Sequence, residues 1–254
     1  MSKKLFQQRF IAFVDILGFK NLVARMSEDE HLFRSVRDAL KHLDTQSRNF
    51  RAYRKRPRNN AIASLTPKTD LQMTAFSDCY VLSEVFPAWH VVAAVQALGS
   101  RFLAEGILTR GAVVEGPAYH NGPVVFGPGV VDAYEVESGM AFYPRIIVSE
   151  NVRKAVWGYH EGLWKGELLK QDQDGWWFIN LLVPSLSSWG ALSNHHAPQD
   201  IRSHLKQVRI SLIAAQKRAG ENPSHAAKVT WLINRYNEMA LQHSLRVMLY
   251  SSEV

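Results

Sequence analysis

Residues 9–19 read RFIAFVDILGF, and residues 73–85 read MTAFSDCYVLSEV. Each stretch is largely apolar and is interrupted by an aspartate, Asp15 in the first and Asp78 in the second. Apolar runs of this length predict buried strands, and the second stretch predicts a hairpin that turns at Ser77 and Asp78. Burying a carboxylate is costly unless it has a partner, and two converging carboxylates attract a divalent cation. The alternative for either aspartate alone is a structural cap of a turn or a helix.

The elements around these strands indicate a mixed α+β fold. Through residue 150 the pattern predicts the order strand, helix, helix, strand, strand, helix, strand, helix, strand. This order favours a mainly antiparallel sheet with helices over a doubly wound parallel sheet. Beyond it we expect a hairpin over 158–182 that turns at Asp174 and Gly175, and then two helices between 198 and 242. We therefore divide the chain into a catalytic domain, 1–150, and a C-terminal hairpin and helical extension, 151–254.

The bulk composition is that of an ordinary globular protein. The 254 residues are 46% apolar and 21% charged. No stretch approaches the roughly 20 apolar residues that a membrane helix needs, and the N-terminus lacks the pattern of a signal peptide. The single cysteine, Cys79, excludes an internal disulfide and disfavours a cysteine-rich zinc site. We expect a cytoplasmic protein.

The formal net charge is +7, and much of the excess lies in the basic run at 51–58, RAYRKRPR. A run of this kind is most often a solvated loop. It could also attract a polyphosphate or a nucleic acid. Because the sequence contains no zinc-finger spacing and no RNA-binding signature, we regard nucleic acid as an unlikely partner.

Several motifs in order resemble the class III nucleotidyl cyclases, over roughly residues 8–150. FVDILGF and FSDCYVLS resemble the two metal-aspartate motifs of that family, and the segments that follow resemble its later strand, loop, helix and strand. More narrowly, the set resembles the Pycsar pyrimidine cyclases of bacterial antiphage defence, which make cyclic UMP or cyclic CMP. The segments that carry the resemblance are 13–19 (FVDILGF), 76–83 (FSDCYVLS), 110–116 (RGAVVEG), 126–138 (FGPGVVDAYEVES) and 143–149 (YPRIIVS).

The resemblance implies a class III cyclase fold with a ferredoxin-like core and a site for two Mn²⁺ or Mg²⁺ ions. Asp15 and Asp78 would bind the metals, and the backbone carbonyl of Ile16 would complete one coordination shell. It also implies a homodimer with active sites at the subunit interface. The cyclic product would act as a second messenger that a separate effector protein senses.

The same resemblance places the triphosphate at the start of the first helix. Backbone amides in the range 16–20, including those of Gly18 and Phe19, would hold the β- and γ-phosphates. A glycine suits this place because it lets the backbone approach the phosphates closely. With two metals, the ribose 3′-oxygen attacks the α-phosphorus of the same nucleotide and pyrophosphate leaves.

The sequence departs from the family where many members carry an asparagine and an arginine that stabilise the transition state. The corresponding positions are Val131 and Glu135, which cannot do this work. Arg110 and Arg145 are the alternative sources of positive charge at the α-phosphate, because an arginine can bind a phosphate bidentately. The competing interpretation for either arginine is a salt bridge to Glu135, Glu137 or another acid.

The choice of base is the least determined part of the function. Thr74 stands nearest to the position of the usual purine-reading lysine, which favours a pyrimidine, with UTP preferred and CTP possible. Phe50 or Tyr53 could stack on a base, although an aromatic residue there more often packs. Two alternatives stay open, a purine (adenylate or guanylate) cyclase and a catalytically degenerate nucleotide-binding regulatory module.

Overall fold

The computed structural model describes residues 5–41, 70–163, 167–184, 198–220 and 222–248. The basic run at 51–58 and the aromatic residues Phe50 and Tyr53 lie outside these ranges.

The described residues form a mixed sheet with helices on both of its faces. The strands are β1 Gln7–Ile16, β2 Gln72–Phe76, β3 Cys79–Glu84, β4 Thr109–Asn121, β5 Val124–Phe126, β6 Ile146–Val148, β7 Leu169–Gln171 and β8 Trp177–Ile179. The helices are α1 Phe19–Glu28, α2 30–41, α3 Ala88–Ala104, α4 Pro128–Met140, α5 Glu150–Leu163, α6 Pro198–Ala219 and α7 Pro223–Gln242.

The strands of the sheet follow the order β2-β3-β1-β4-β6-β8-β7, with β5 paired to β4. The pairing of β4 with β6 is parallel and the other pairings are antiparallel. The predicted α+β fold with a mainly antiparallel sheet is confirmed.

The two faces of the sheet are covered very differently. Alternate residues of a strand point to opposite faces, so Ala12 and Val14 of β1 enter the main core, to which α1, α2, α3, α5, α6 and α7 contribute. Ile11 lies on the other face, in a small cluster that includes Ala133 of α4. We call this second side the α4 face. Among the described helices, only α4 contributes buried apolar residues to it.

Helix α4 packs at backbone distance from the sheet. A Cβ atom on Gly116 of β4 would lie 2.7 Å from the Cα atom of Gly129 in α4, and a Cβ atom on Gly129 would lie 2.6 Å from Cδ1 of Ile11. Both distances are shorter than real side chains allow, so glycine is required at both positions for this close approach. The contact fixes the first turn of α4 above β1 and β4.

The segment after β6 corrects part of the sequence prediction. The hairpin predicted over 158–182 is wrong in its first part, because α5 continues to Leu163. Val152 and Val156 are four residues apart and fully buried, which gives α5 an apolar face directed at the core. Strands β7 and β8 form the remaining hairpin, and Gly175 adopts a φ of +85° in its turn.

The sheet and the main core continue across the predicted boundary at residue 150. Strand β8 pairs with β6, and β7 pairs with β8. Phe178 of β8 and Leu205 of α6 belong to the same core as Val14 of β1. The two predicted C-terminal helices are confirmed as α6 and α7, which turn at Gly220. The division into two domains stays a prediction.

In the part of the chain that the structure describes, no helix has the length and apolar character that spanning a membrane requires.

Candidate active site

Asp15 stands near the end of β1, in a row of side chains set by strand register. It pairs with Cys79 of β3 on one side and with Arg110 of β4 on the other. Since Ile11 lies on the α4 face and side chains alternate, Asp15 projects from the same face. Asp15 is half-buried, and this burial is the largest of the influences that raise the pKa of its carboxyl group. A positive charge beside it would therefore stabilise the ionised form.

Asp78 lies in the turn between β2 and β3, next to the end of β1. Ser77 takes the left-handed conformation, with a φ of +54°, that this tight turn requires. The backbone oxygen of Asp78 accepts a hydrogen bond from the amide of Ile16 at 2.7 Å. The negative charge of Asp78 raises the pKa of Asp15 further. The structure thus places the two predicted metal aspartates within electrostatic reach of each other.

Arg110 is held between two carboxylates. Its Nε atom donates a hydrogen bond to Oδ2 of Asp15 at 3.2 Å, and it lies 2.5 Å from Oε1 of Glu137 in α4. The contact with Glu137 is an ion pair without hydrogen-bond geometry, because the Nε–H is not directed at that oxygen. The side chain of Glu137 is buried, and this burial raises its pKa. The positive charge of Arg110 lowers the pKa of Glu137, and the negative charge of Asp15 raises it further. Two acidic side chains therefore flank one guanidinium, and the charge of Asp78 acts on one of them, Asp15.

The donor set at this site fits a hard divalent cation. No group of three or more His, Cys, Asp or Glu side chains within the described ranges is arranged to hold a metal ion by itself. Mg²⁺ at phosphate sites usually takes only one or two protein carboxylates and completes its shell with water and substrate phosphates. Asp15 and Asp78 offer those oxygens, and Arg110 alone does not balance the local negative charge. Metal binding by Asp15, Asp78 and the carbonyl of Ile16 stays a prediction.

The first turn of α1 begins at Phe19, four residues after Asp15. Gly18 is its N-cap, with a φ of +69°, and no side chain caps the helix there. The carbonyl oxygen of Gly18 accepts hydrogen bonds from the backbone amides of Asn21 and Leu22. Helix N-termini attract anions through their free amides and the helix dipole.

The amides in the predicted phosphate-binding range 16–20 are not equally available. The amide of Ile16 already donates a hydrogen bond to the backbone oxygen of Asp78, and the amide of Leu17 donates one to the backbone oxygen of Leu108 at 2.9 Å. The amides of Phe19 and Lys20 have no hydrogen-bond partner among the described residues. The predicted phosphate contact is therefore best supported at the first turn of α1.

Arg145 lies in a different environment from Arg110. It is buried, and its guanidinium forms ion pairs with Asp172 and Asp174 in the β7–β8 turn. Asp172 also accepts a hydrogen bond from Nε1 of Trp231 at 2.9 Å. The competing interpretation of a salt bridge thus describes Arg145 in this structure, and it also describes Arg110, which pairs with the expected acid Glu137. Of the two predicted phosphate-binding arginines, only Arg110 contacts Asp15.

Positions that depart from the cyclase pattern lie apart from this cluster. Val131 and Glu135 are on the exposed side of α4. The hydroxyl of Thr74 donates to the backbone oxygen of Gly122 at 2.7 Å and lies 3.0 Å from Nε2 of His120. Thr74 is therefore part of a polar contact with the β4–β5 hairpin.

Two residues near Asp15 were missed as site residues by the sequence reasoning. Glu137 was considered only as a salt-bridge partner; its spacing of four residues from the buried Ala133 could have indicated that it faces the sheet. Lys228 of α7 lowers the pKa of Asp15. No local sequence signal relates residues that are so far apart in the chain.

No protein-family model and no curated protein sequence matches the chain. Solved structures similar to it include the monomeric guanylyl cyclase domain of the RhoGC fusion protein from the aquatic fungus Blastocladiella emersonii. That alignment has 15% sequence identity and a TM-score of 0.38, and it covers 68% of this chain and 95% of that domain. The catalytic core of a rhodopsin-guanylyl cyclase with converted specificity, in complex with ATPαS, aligns at 17% identity with a TM-score of 0.39, over 69% of this chain and 97% of that one.

Proposed function

We propose that the chain is a nucleotidyl cyclase that converts a pyrimidine nucleoside triphosphate, UTP in preference to CTP, to its 3′,5′-cyclic monophosphate and pyrophosphate. The observation that supports this most directly is the convergence of Asp15 and Asp78 beside the uncapped N-terminus of α1. Two acidic metal ligands and a free helix N-terminus are the parts that phosphoryl transfer from a triphosphate needs.

Each group in the cluster has a defined task in this reaction. Asp15 and Asp78 would hold the divalent cations, Mn²⁺ or Mg²⁺, which would supply activation of the 3′-hydroxyl and neutralisation of the triphosphate. The amides of Phe19 and Lys20 bind the terminal phosphates. The 3′-hydroxyl gives its proton to water, and a bond forms between the 3′-oxygen and the α-phosphorus. The bond from the α-phosphorus to the bridging oxygen breaks, and pyrophosphate leaves with the electron pair.

Arg110 is the arginine best placed to bind the α-phosphate. Its side chain is partly exposed and contacts Asp15, whereas Arg145 is buried in its own ion pairs. Glu137 orients Arg110 from α4. The phosphate role predicted for Arg145 stays a prediction with less structural support.

The nucleotide specificity is tested by offering the purified protein each of the four nucleoside triphosphates with Mn²⁺ and identifying the cyclic product. We expect cyclic UMP, with cyclic CMP as a minor product, because the resemblance aligns Thr74, and no lysine, nearest to the position at which purine cyclases read the base. A product formed only from ATP or GTP would replace this proposal with the purine cyclase. In the pyrimidine case the product would signal within the cytoplasm to a separate effector protein in antiphage defence.

A second candidate is a catalytically degenerate module that binds a nucleotide without turning it over. The observation that favours it is the position of Val131 and Glu135 on the exposed side of α4, where neither side chain is of a type that could stabilise the transition state. The same incubation distinguishes the two functions. Tight binding of a nucleoside triphosphate with no cyclic product would support the module.

The α4 face supports the proposed homodimer. Within the described residues, several large apolar side chains remain exposed on α4 and on the β4–β5 hairpin beside it: Tyr119, Val124, Phe126, Val131 and Tyr134. Exposed apolar groups of this size on one side of a protein commonly mark an interaction surface. Because Asp15 lies on the same side of the sheet, a second copy docked here would approach the active site.

Tyr134→Glu is expected to weaken dimerisation by about 30-fold or more, since it places a charge in an apolar interface. Tyr134 is 52% exposed in the single chain, so the change leaves the core intact. Sedimentation velocity at several protein concentrations measures the effect, and activity should fall in parallel. Ile210→Glu on α6, at a residue 61% exposed, is the matched control and should leave dimerisation unchanged. Equal dimerisation of Tyr134→Glu and wild type would contradict this interface.

A further inference from the structure

A cavity lies at the first turn of α1, close to the active site. It measures about 340 Å³ and is formed by the start of α1, the turn between α3 and β4, and the α6–α7 turn. Among the described residues that line it, the charged and titratable side chains are basic: Arg25 from α1, Arg218 from α6, and His225 and Lys228 from α7. No aspartate or glutamate is among the described residues that line it. We call it the basic pocket.

The positive charges of the basic pocket have no described counter-ions. Among the described residues, no carboxylate lies within ion-pair distance of Arg25, Arg218 or Lys228. Arg218 is close enough to Arg25 that, after burial, the like charge lowers its pKa. The pKa of His225 is lowered by burial and then by Arg218 and Lys228. Cations held together in this way gain free energy when an anion enters between them.

The backbone adds to the same potential. The N-caps of α1 and α7, Gly18 and Asn222, both line the basic pocket. The positive ends of the two helix dipoles therefore lie at one cavity. The guanidinium of Arg218 extends to the turn at Gly106. If Gly106 carried a Cβ atom, that atom would lie 3.5 Å from Nη2 of Arg218.

The basic pocket adjoins the metal aspartates. Leu17, which lines it, is two residues from Asp15. Lys228 also lies within electrostatic reach of Asp15, whose pKa it lowers. The Nζ atom of Lys228 also lies over the ring of Phe142, 5.9 Å from the ring centroid, in a cation–π contact. An anionic chain that starts at Asp15 and Asp78 can thus continue past Gly18 towards Arg218.

We propose that α6 and α7 supply, from the same chain, the side chains that bind the terminal phosphates of the nucleotide, with Arg218 and Lys228 as the principal ligands and Arg25 as a third. The identity of the bound nucleotide rests on the proposed function. The binding of a polyphosphate in the basic pocket does not depend on it. The C-terminal helices are then part of the substrate site at its terminal phosphates, whereas Arg110 serves the α-phosphate.

The test separates the pocket from the chemistry by using inorganic tripolyphosphate as the probe. Binding to the full chain is measured by calorimetry in metal-free buffer, so that Asp15 and Asp78 contribute no metal-mediated attraction. We expect Arg218→Gln and Lys228→Gln each to weaken binding by about tenfold. Lys217→Gln is the matched control, because Lys217 precedes Arg218 in α6, carries the same charge and does not line the pocket.

Two further measurements make the outcome decisive. In the wild type, the pKa of His225, measured by NMR, should rise when tripolyphosphate binds. The bound anion would stabilise the protonated imidazole and offset the positive charges of Arg218 and Lys228, which lower this pKa. In the cyclisation assay, the two pocket variants should raise KM for the triphosphate much more than they lower kcat.

The possible results discriminate between the pocket and the function. Unchanged tripolyphosphate binding in both variants, with the His225 pKa unmoved in the wild type, would overturn the inference. Weakened tripolyphosphate binding with an unchanged KM would overturn the assignment to the nucleotide. Weakened binding in a protein that cyclises no nucleotide would uphold the polyphosphate pocket while removing the proposed function.

Discussion

Asp78→Asn is expected to lower the rate of cyclic nucleotide formation on the order of 1,000-fold or more, because the site loses one of its two metal-binding charges. The fold should survive the change. Among the described residues, the contact that Asp78 makes with the end of β1 uses its backbone oxygen, which accepts the amide of Ile16 and is unaffected by the substitution. Asp15→Asn should cause a loss of similar size.

The measurement is kcat at saturating Mn²⁺ and nucleotide, with the cyclic product identified by mass. Asp38→Asn is the matched control, since Asp38 is exposed on α2 and pairs only with its neighbour Arg37 among the described groups. Its activity should equal that of the wild type. Wild-type turnover in Asp78→Asn would mean that Asp78 binds no catalytic metal.

Arg145→Met is expected to lower the free energy of unfolding by up to about 3 kcal/mol, because it removes the nearer of the two counter-ions of a buried carboxylate. Asp172 is only 7% exposed; it would keep its hydrogen bond from Trp231 and a longer contact with Arg235 at 3.7 Å, but it would lose the guanidinium of Arg145. Urea denaturation at neutral pH measures the change. Arg34→Met removes an exposed i,i+4 ion pair with Glu30 and should cost less than about 1 kcal/mol.

The pH dependence gives the same prediction an independent readout. Arg145 holds the pKa of Asp174 below its ordinary value of 3.8, chiefly through a hydrogen bond. A lowered pKa stabilises the fold above the ordinary value and loses this effect as the pH falls through the folded value. The stability difference between Arg145→Met and the wild type should therefore narrow below about pH 4. A variant that stays stable but loses catalysis would instead restore the phosphate role of Arg145.

The strands of the site were predictable because their signals are local. The apolar runs around Asp15 and Asp78 indicated three strands and a turn, and the structure places Asp15 near the end of β1 and Asp78 in the turn between β2 and β3. Gly18 was expected to let the backbone approach the phosphates closely, and α1 begins directly after it, at Phe19. Each of these features depends on fewer than about a dozen neighbouring residues, which is the range over which hydrophobic periodicity is informative.

The remaining parts of the site depend on tertiary contacts. Arg145 pairs with acids 27 and 29 positions away, and this pairing follows from the register of β6 with β8. Arg218 and Lys228 reach the pocket because α6 and α7 pack on the core at that edge. Only the last part of α5, residues 158–163, was assigned to a hairpin, because the glycines and tryptophans in this stretch and after it dominate the local pattern.

The continuity of the sheet across residue 150 has a practical consequence for truncation. Strand β6 is fully or almost fully buried, with Ile146 and Ile147 at 0% exposure and Val148 at 2%, and β8 covers its outer side. A fragment that ended at residue 150 would leave β6 as an uncovered apolar edge, and edges of this kind pair with other chains and aggregate. It would also remove the partners of Arg145. Shortened versions for expression should therefore keep the chain through residue 248, even when only the proposed cyclase reaction is of interest.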